Sequence, residues 1–304
     1  MKFTRRDVVI GGTALGLAAL AVRPARAIGR LAAGDAELVI VSDGLISLPL
    51  ATAMPGVPKA ELEQLLSANG LATDALVNDC NVTIRRRGGR IAIFDAGAGP
   101  NFLPTTGKLF EGLGEAGVDP ADVTDVILTH AHPDHIWGVL DDFDELAFPN
   151  ADYRIGRAEW DFWSSPGALD AMPEERRNFV PGALNRFAAI EARVSFFEPG
   201  QEVFDGVEAV GTPGHTPGHT SFMVHGGGEP VLVAGDAATN LAVSMARPDW
   251  PTGADQDPEL GIRTRVALLD RLASEKARVI GFHFPHPGGG RIERAGAAYR
   301  FVPA

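Results

Sequence analysis

The sequence predicts an α/β protein in which two β-sheets lie face to face with helices on their outer surfaces. Three observations carry this expectation. Apolar, β-rich runs bounded by Gly/Pro turns recur in two sets, one ending at residue 129 and one starting at residue 194. Stretches of helical periodicity lie between and after them, where they can cover the outer faces. The 304 residues are 45% hydrophobic with mean hydropathy +0.03, enough to bury a sizeable core without cross-links.

In chain order, residues 37–42, 81–86 and 90–95 read as neighbouring strands, the last two joined by the turn Gly88-Gly89. Residues 106–116 read as a glycine-weakened helix stopped by Gly117. A buried strand at 123–129 then delivers its end to His130, and 158–163 is expected to be helical after Gly156. Residues 164–187, rich in Pro, Gly and charge, have the length of a lid over a site. The second set has strands at 194–197, 207–210, 221–224, 231–234 and 279–282. A helix at 258–274 precedes the last of these and carries Ile262, Val266, Leu269 and Leu272 on one face. No repeat or long linker interrupts this grammar, so 28–304 is expected to be one domain.

The first 27 residues read as an address. Arg5-Arg6 precedes an apolar stretch from residue 8 to 22 and the small-x-small triplet Ala25-Arg26-Ala27, the layout of a cleaved twin-arginine export signal. The expectation is a periplasmic protein starting near Ile28, with no stable membrane association after cleavage. That segment carries five basic residues against Asp7, a net +4, so of the total −12 the remainder stands at −16. So acidic a body repels phosphate backbones, and nucleic acid is excluded as a partner. The single cysteine, Cys80, rules out an internal disulfide and a Cys-rich zinc module.

Seven of the eight histidines fall in three short clusters, each at a strand end. In His130-Ala131-His132-Pro133-Asp134-His135, alternate spacing lets His130 and His132 face one ion while Asp134 and His135 face another. Gly211 through His219 offers two imidazoles, His215 and His219, of which one is needed. Ala234-Gly235-Asp236 places a carboxylate after an apolar strand, suited to bridge two cations. The last cluster offers His283 or His286, and His225 beside three glycines reads as a solvated hairpin residue.

These motifs resemble the seven-ligand pattern of dinuclear metallo-β-lactamase-fold hydrolases. Within that superfamily the chain is most similar to the methyl parathion hydrolase-like branch, in Thr129 through His135, residues 146–151, 159–163 and 214–220, and in its ending 299–303. The resemblance implies an αβ/βα sandwich of two mixed sheets flanked by helices. It selects His219 over His215 and His283 over His286. By position, His130, His132 and His219 would hold one divalent ion, Asp134, His135 and His283 the other, and Asp236 would bridge them, zinc being the expected metal. A hydroxide between the ions would be the nucleophile, with Asp134 as the catalytic proton carrier, and Asp95 would orient the histidine loop. The resemblance also places Phe102, Trp163 and Phe179 in the substrate pocket. A homodimer is a further expectation.

The expected activity is hydrolysis of aryl esters or organophosphate triesters, with a lactonase acting on acyl-homoserine or other lactones as the alternative. A glyoxalase II-type thiolesterase is a second alternative, with little room for its added helical region in the 85 residues after His219. Acyl-homoserine lactonases often carry a tyrosine three residues after the bridging Asp, where this chain has Thr239.

Overall fold

Among the residues described by the computed structural model, 28–304, two seven-stranded sheets pack face to face; the expected export signal, 1–27, lies outside the described residues. The first sheet runs in chain order through β1 (Gly29–Ala33), β2 (Ala36–Pro49), β3 (Ala75–Arg87), β4 (Arg90–Phe94), β5 (Asp125–Ile127), β6 (Asp152–Gly156) and β7 (Val194–Phe197). The second runs through β8 (Glu202–Phe204), β9 (Val207–Gly211), β10 (Thr220–Val224), β11 (Val231–Val233), β12 (Arg278–Ile280), β13 (Gly289–Ala295) and β14 (Ala298–Pro303). The strands β4 to β7 are parallel, as are β11 and β12, and the other pairings are antiparallel, so both sheets are mixed. This is the αβ/βα sandwich that the sequence predicts.

The period-2 side-chain alternation of β2 explains the packing. Leu38 and Ile40 join Phe94, Ile127, Phe222 and Val231 between the sheets, while Val39 and Val41 turn to the outer layer with Leu109 and Leu113. Both faces are covered, which is why this strand reads as an unbroken apolar run.

Helix Pro258–Glu275 begins where the Asp257 carboxylate accepts the Leu260 N–H at 3.0 Å and Pro258 occupies the first turn. Its buried stripe is Gly261, Arg265, Leu268, Leu269 and Leu272, so Ile262 and Val266 are only half-buried, a rotation from the face the apolar residues suggest. The reason is close approach: a Cβ on Gly214 would come within 2.3 Å of the Gly261 backbone, so the helix rests directly on the loop that carries His215. Segment 164–187 contributes Glu175, Arg176, Asn178 and Phe179 to the wall of a cavity, as a segment over a site would, but it is not all loop. It contains a short helix, Ala168–Ala171, and the start of helix Phe179–Ile190, which anchors Val180, Ala183, Phe187 and Ile190 in the core.

Candidate metal centre

The three histidine clusters and Asp236 singled out in the sequence converge at one end of the sandwich, on loops that leave the strand ends. His130 and His132 follow β5, and Pro133–Ile136 is a single helical turn that turns Asp134 and His135 inward. The 212–219 loop joins β9 to β10, Asp236 follows β11, and His283 follows β12. The Thr220 N–H donates to Thr129 O at 3.0 Å and the Asn81 N–H to Phe282 O at 2.8 Å, so the loops of the two sheets are tied together beside the cluster.

Two groups of side chains with metal-ligating chemistry result, each with its ligand atoms within 4.8 Å of one another: His130, His132 and His215, and Asp134, His135, Asp236 and His283. Asp236 also serves the first group. Its Oδ1 lies 3.2 Å from His135 Nε2, and its Oδ2 lies 3.2 Å from both His215 Nε2 and His283 Nε2. Asp134 Oδ2 stands 3.2 Å from His283 Nε2. Nε2 of His130 is buried without a hydrogen bond, a cost that a cation beside it removes. Imidazoles with carboxylates suit zinc-like ions, so the residues fit the metal that the sequence implies.

The structure corrects one member of the expected set: His215, not His219, joins His130 and His132. His219 Nδ1 faces Thr212 Oγ1 at 2.8 Å and Thr212 O at 3.2 Å, and its Nε2 accepts the Asp236 backbone N–H at 2.9 Å. An imidazole has a single free lone pair, and here the Asp236 amide takes it. Gly235 makes this possible: at φ 53°, it would bring a Cβ to within 2.7 Å of His219 Nε2. The choice of His283 over His286 agrees with the geometry, since His286 turns its Nδ1 to Asn81 Oδ1 at 2.6 Å. His225 is an exposed residue of the β10–β11 connection, opposite Glu208.

The remaining ring nitrogens are fixed from outside the cluster. Asp95, at φ 68°, accepts the Thr129 N–H at 2.7 Å and His135 Nδ1–H at 2.8 Å, the orienting role the sequence suggests for it. His283 Nδ1–H donates to Asp79 O at 2.8 Å. His215 Nδ1–H donates to Asp255 Oδ1 at 3.2 Å, and Arg265 backs Asp255 while donating to Pro248 O and Trp250 O. Sequence reasoning missed Asp255 and Arg265, which lie 40 and 50 residues beyond His215 with no local pattern to mark them. It also missed Glu159. That buried carboxylate accepts from Ala131 N, Trp163 Nε1, Thr216 Oγ1 and Gly218 N at 2.6–3.0 Å, joining both histidine loops to one helix.

Burial, reinforced by neighbouring imidazoles, holds His130 and His132 well below 6.5, so both are neutral as ligation requires. Burial pulls His135 and His283 down too, but the carboxylates around them outweigh it and hold both well above that value. Burial would likewise raise Asp134 and Asp236, yet the charged imidazoles keep both well below the usual carboxylate range. The cluster is thus an ionised array in which protons stand where cations would bind.

A cavity of about 480 Å³ opens above the cluster, with His132, Asp134, His215, Asp236 and His283 on its floor. Phe102 and Phe179 line it as expected, their rings edge to face with centroids 6.3 Å apart. Trp163 does not. It is fully buried beneath His132, ring centroids 5.8 Å apart, because its indole N–H is drawn inward to Glu159 Oε1 at 2.7 Å. Thr239 is at the cavity wall.

The model of the metallo-beta-lactamase superfamily matches residues 76–283, which include every member of both groups. The chain belongs to the metallo-beta-lactamase superfamily. Among solved structures of this superfamily's fold, it is similar to AidC, a dizinc quorum-quenching lactonase in complex with a product, N-hexanoyl-L-homoserine. That structure has a TM-score of 0.86 and 30% identity, with 92% of this chain and 98% of that one covered. It is similar also to the hydrolase AbOPH of the beta lactamase superfamily, at TM-score 0.85 and 25% identity over 93% and 99% of the two chains. Curated relatives include the N-acyl homoserine lactonase AttM of Agrobacterium fabrum, 32% identical over 128 residues, 41% of this chain and 45% of AttM. Protein YobT of Bacillus subtilis is 31% identical over 156 residues, 49% of this chain and 63% of YobT. The matched stretches therefore span from just under half to just under two thirds of the length of these curated relatives. The lactonases among them correspond to the alternative activity read from the sequence.

Proposed function

We propose that the chain is a dinuclear metal-dependent hydrolase of carboxylic esters whose substrate is a lactone of the N-acyl homoserine type. The observation that carries the reading is Asp236, whose two oxygens reach both groups of ligating side chains on the floor of the cavity. In this reading His130, His132 and His215 would hold one zinc ion and Asp134, His135 and His283 the other, with Asp236 within reach of both groups. Two such cations would supply Lewis acidity, lowering the pKa of water from 15.7 toward about 7 and polarising the ester carbonyl.

The chain's own residues do the rest. The apolar wall of Ile46, Leu48, Leu76 and Phe102 receives the acyl chain and excludes water from it. Hydrolysis adds water to the carbonyl carbon and breaks the acyl C–O bond, and the water's proton must reach the departing alkoxide. Asp134, at the cavity floor beside His283, is placed to hold that proton in transit. The similarity to AidC over nearly the whole chain supports a lactone as substrate.

A second reading, aryl ester or phosphotriester hydrolysis, is favoured by the Phe102–Phe179 pair at the wall and by Thr239, which offers no phenol for lactone opening. The test is one zinc-loaded preparation assayed on N-hexanoyl homoserine lactone, an aryl acetate and an aryl phosphotriester. The lactone is expected to give the highest kcat/KM, with chelation abolishing turnover. An aryl substrate preferred by an order of magnitude would install the second reading.

A further inference from the structure

The cavity wall carries one cation with no ion-pair partner among the described residues. Arg176, at the end of the short 3-10 turn Glu174–Arg176, is the only Lys or Arg among the described residues that line the cavity. A guanidinium has five N–H donors. Here one of them reaches a protein acceptor, Ala254 O, at a long 3.4 Å. Among the described residues no carboxylate forms an ion pair with it, in contrast to Arg265, which is locked by three partners.

Its position is held by its neighbours in sequence. Met172 and Val180 are buried on either side of the turn, and Phe179 is fixed against Phe102 and His132. The guanidinium is partly buried, and Arg176 lines the same cavity as His132 and Asp134. A partly desolvated guanidinium with unspent donors gains most from an oxygen acceptor arriving with the ligand, because a neutral apolar ligand would displace its water and return nothing.

We infer that Arg176 is a specificity-determining residue that donates to an amide carbonyl oxygen borne by the substrate next to its scissile ester, so that the site selects acylamido lactones over plain alkyl lactones. The inference rests on the lactone reading above and deepens it. A planar donor fork on one wall and an apolar lining on the other match a substrate whose polar amide lies between its ring and its chain. Binding needs no proton transfer at Arg176, and the hydrolytic step is unaltered.

The test compares N-hexanoyl homoserine lactone with an alkyl lactone of similar size that lacks the amide, using zinc-loaded wild type, Arg176→Met and Arg176→Lys, with metal content and thermal melts measured in parallel. Arg176→Met should lower kcat/KM for the acylamido lactone roughly 10- to 100-fold, mainly through KM, the range for a hydrogen bond to a charged group. The alkyl lactone should change less than about twofold, metal content should stay the same, and Arg176→Lys should recover part of the loss. An equal fall on both substrates, or no fall on the acylamido lactone, overturns the inference. If wild type opens neither lactone, the lactone reading fails by itself, and calorimetry with N-hexanoyl homoserine then decides on Arg176. Weaker binding to Arg176→Met upholds its role, and equal or absent binding to both proteins overturns it.

Discussion

His219 Nε2 accepts the backbone N–H of Asp236 at 2.9 Å, so the second imidazole of Gly214-His215-Thr216-Pro217-Gly218-His219 holds the shared carboxylate's turn in place while the first faces the cluster. His215→Ala should therefore lower zinc content toward one equivalent per chain and remove most turnover. His219→Ala should keep more of its zinc but melt at lower temperature, since it leaves the Asp236 amide buried and unpaired at a cost of about 1–3 kcal/mol. Elemental analysis and thermal melts of the two variants separate these outcomes. Greater zinc loss from His219→Ala would restore the assignment drawn from the sequence resemblance.

Among the described residues Asp255 is the only carboxylate on the outer nitrogen of His215, and Arg265 holds it there. Asp255→Asn should weaken zinc binding about 10- to 100-fold, the usual effect of removing such a partner, with a smaller change in fold stability. Competition with a chromophoric chelator reads the affinity directly. Unchanged affinity would mean that the 3.2 Å contact does not orient the ring.

The difference between what the sequence discloses and what it hides follows from the range of the deciding contacts. His130 through His135 is legible because three imidazoles and a carboxylate at one strand end have no cheap alternative to a cation. The choice between His215 and His219 depends on Asp255 and Asp236, which reach the loop from other elements, and local spacing carries neither. Trp163 looks like a pocket wall by resemblance, but its partner is Glu159 one helical turn back, and a buried carboxylate decides where the indole goes. Strand β7 is readable to its ends because it is short and apolar. The hairpin β13–β14 is not legible in the sequence, since Arg291, Glu293, Arg294 and Arg300 break its hydrophobic pattern at the sheet edge. Helix Phe179–Ile190 is hidden in the sequence because Pro181 and Gly182 suggest a loop, although a proline in a first helical turn removes no intrahelical bond.

Zinc binding should release protons. Burial pulls His215 down, but Asp236 and Asp255 outweigh it and push it up to about 9, and His135 and His283 are also held above 6.5 by carboxylates. At neutral pH the metal-free cluster holds protons that a bound cation must displace, so apparent affinity rises with pH toward 9 and falls on acidification. Calorimetric titration at pH 7 in buffers of different ionisation enthalpy should show net proton release, and release should shrink as the pH approaches 9. Affinity independent of pH between 6 and 9 would contradict the ionised array.

Phe179 and Trp163 should differ in what their replacement disturbs. Phe179 lies at the cavity wall, edge to face with Phe102 and 5.9 Å from the His132 ring, so its loss removes apolar surface that a bound substrate covers. Burying such a ring is worth about 1.5–3 kcal/mol, and sharing part of it with the substrate makes a loss of roughly tenfold in kcat/KM reasonable for Phe179→Ala. That loss should appear in KM and vary with the size of the acyl or aryl group, with zinc content unchanged. Trp163 touches no substrate in this arrangement. Trp163→Phe deletes the indole donor to Glu159, the carboxylate that ties the 130–135 loop to the 212–219 loop. It should lower thermal stability and zinc affinity while leaving the ratio of aryl to lactone turnover as it is. Steady-state kinetics on the paired substrates, with zinc content measured on the same samples, check both variants. A shifted substrate ratio in Trp163→Phe with an unshifted one in Phe179→Ala would return Trp163 to the pocket.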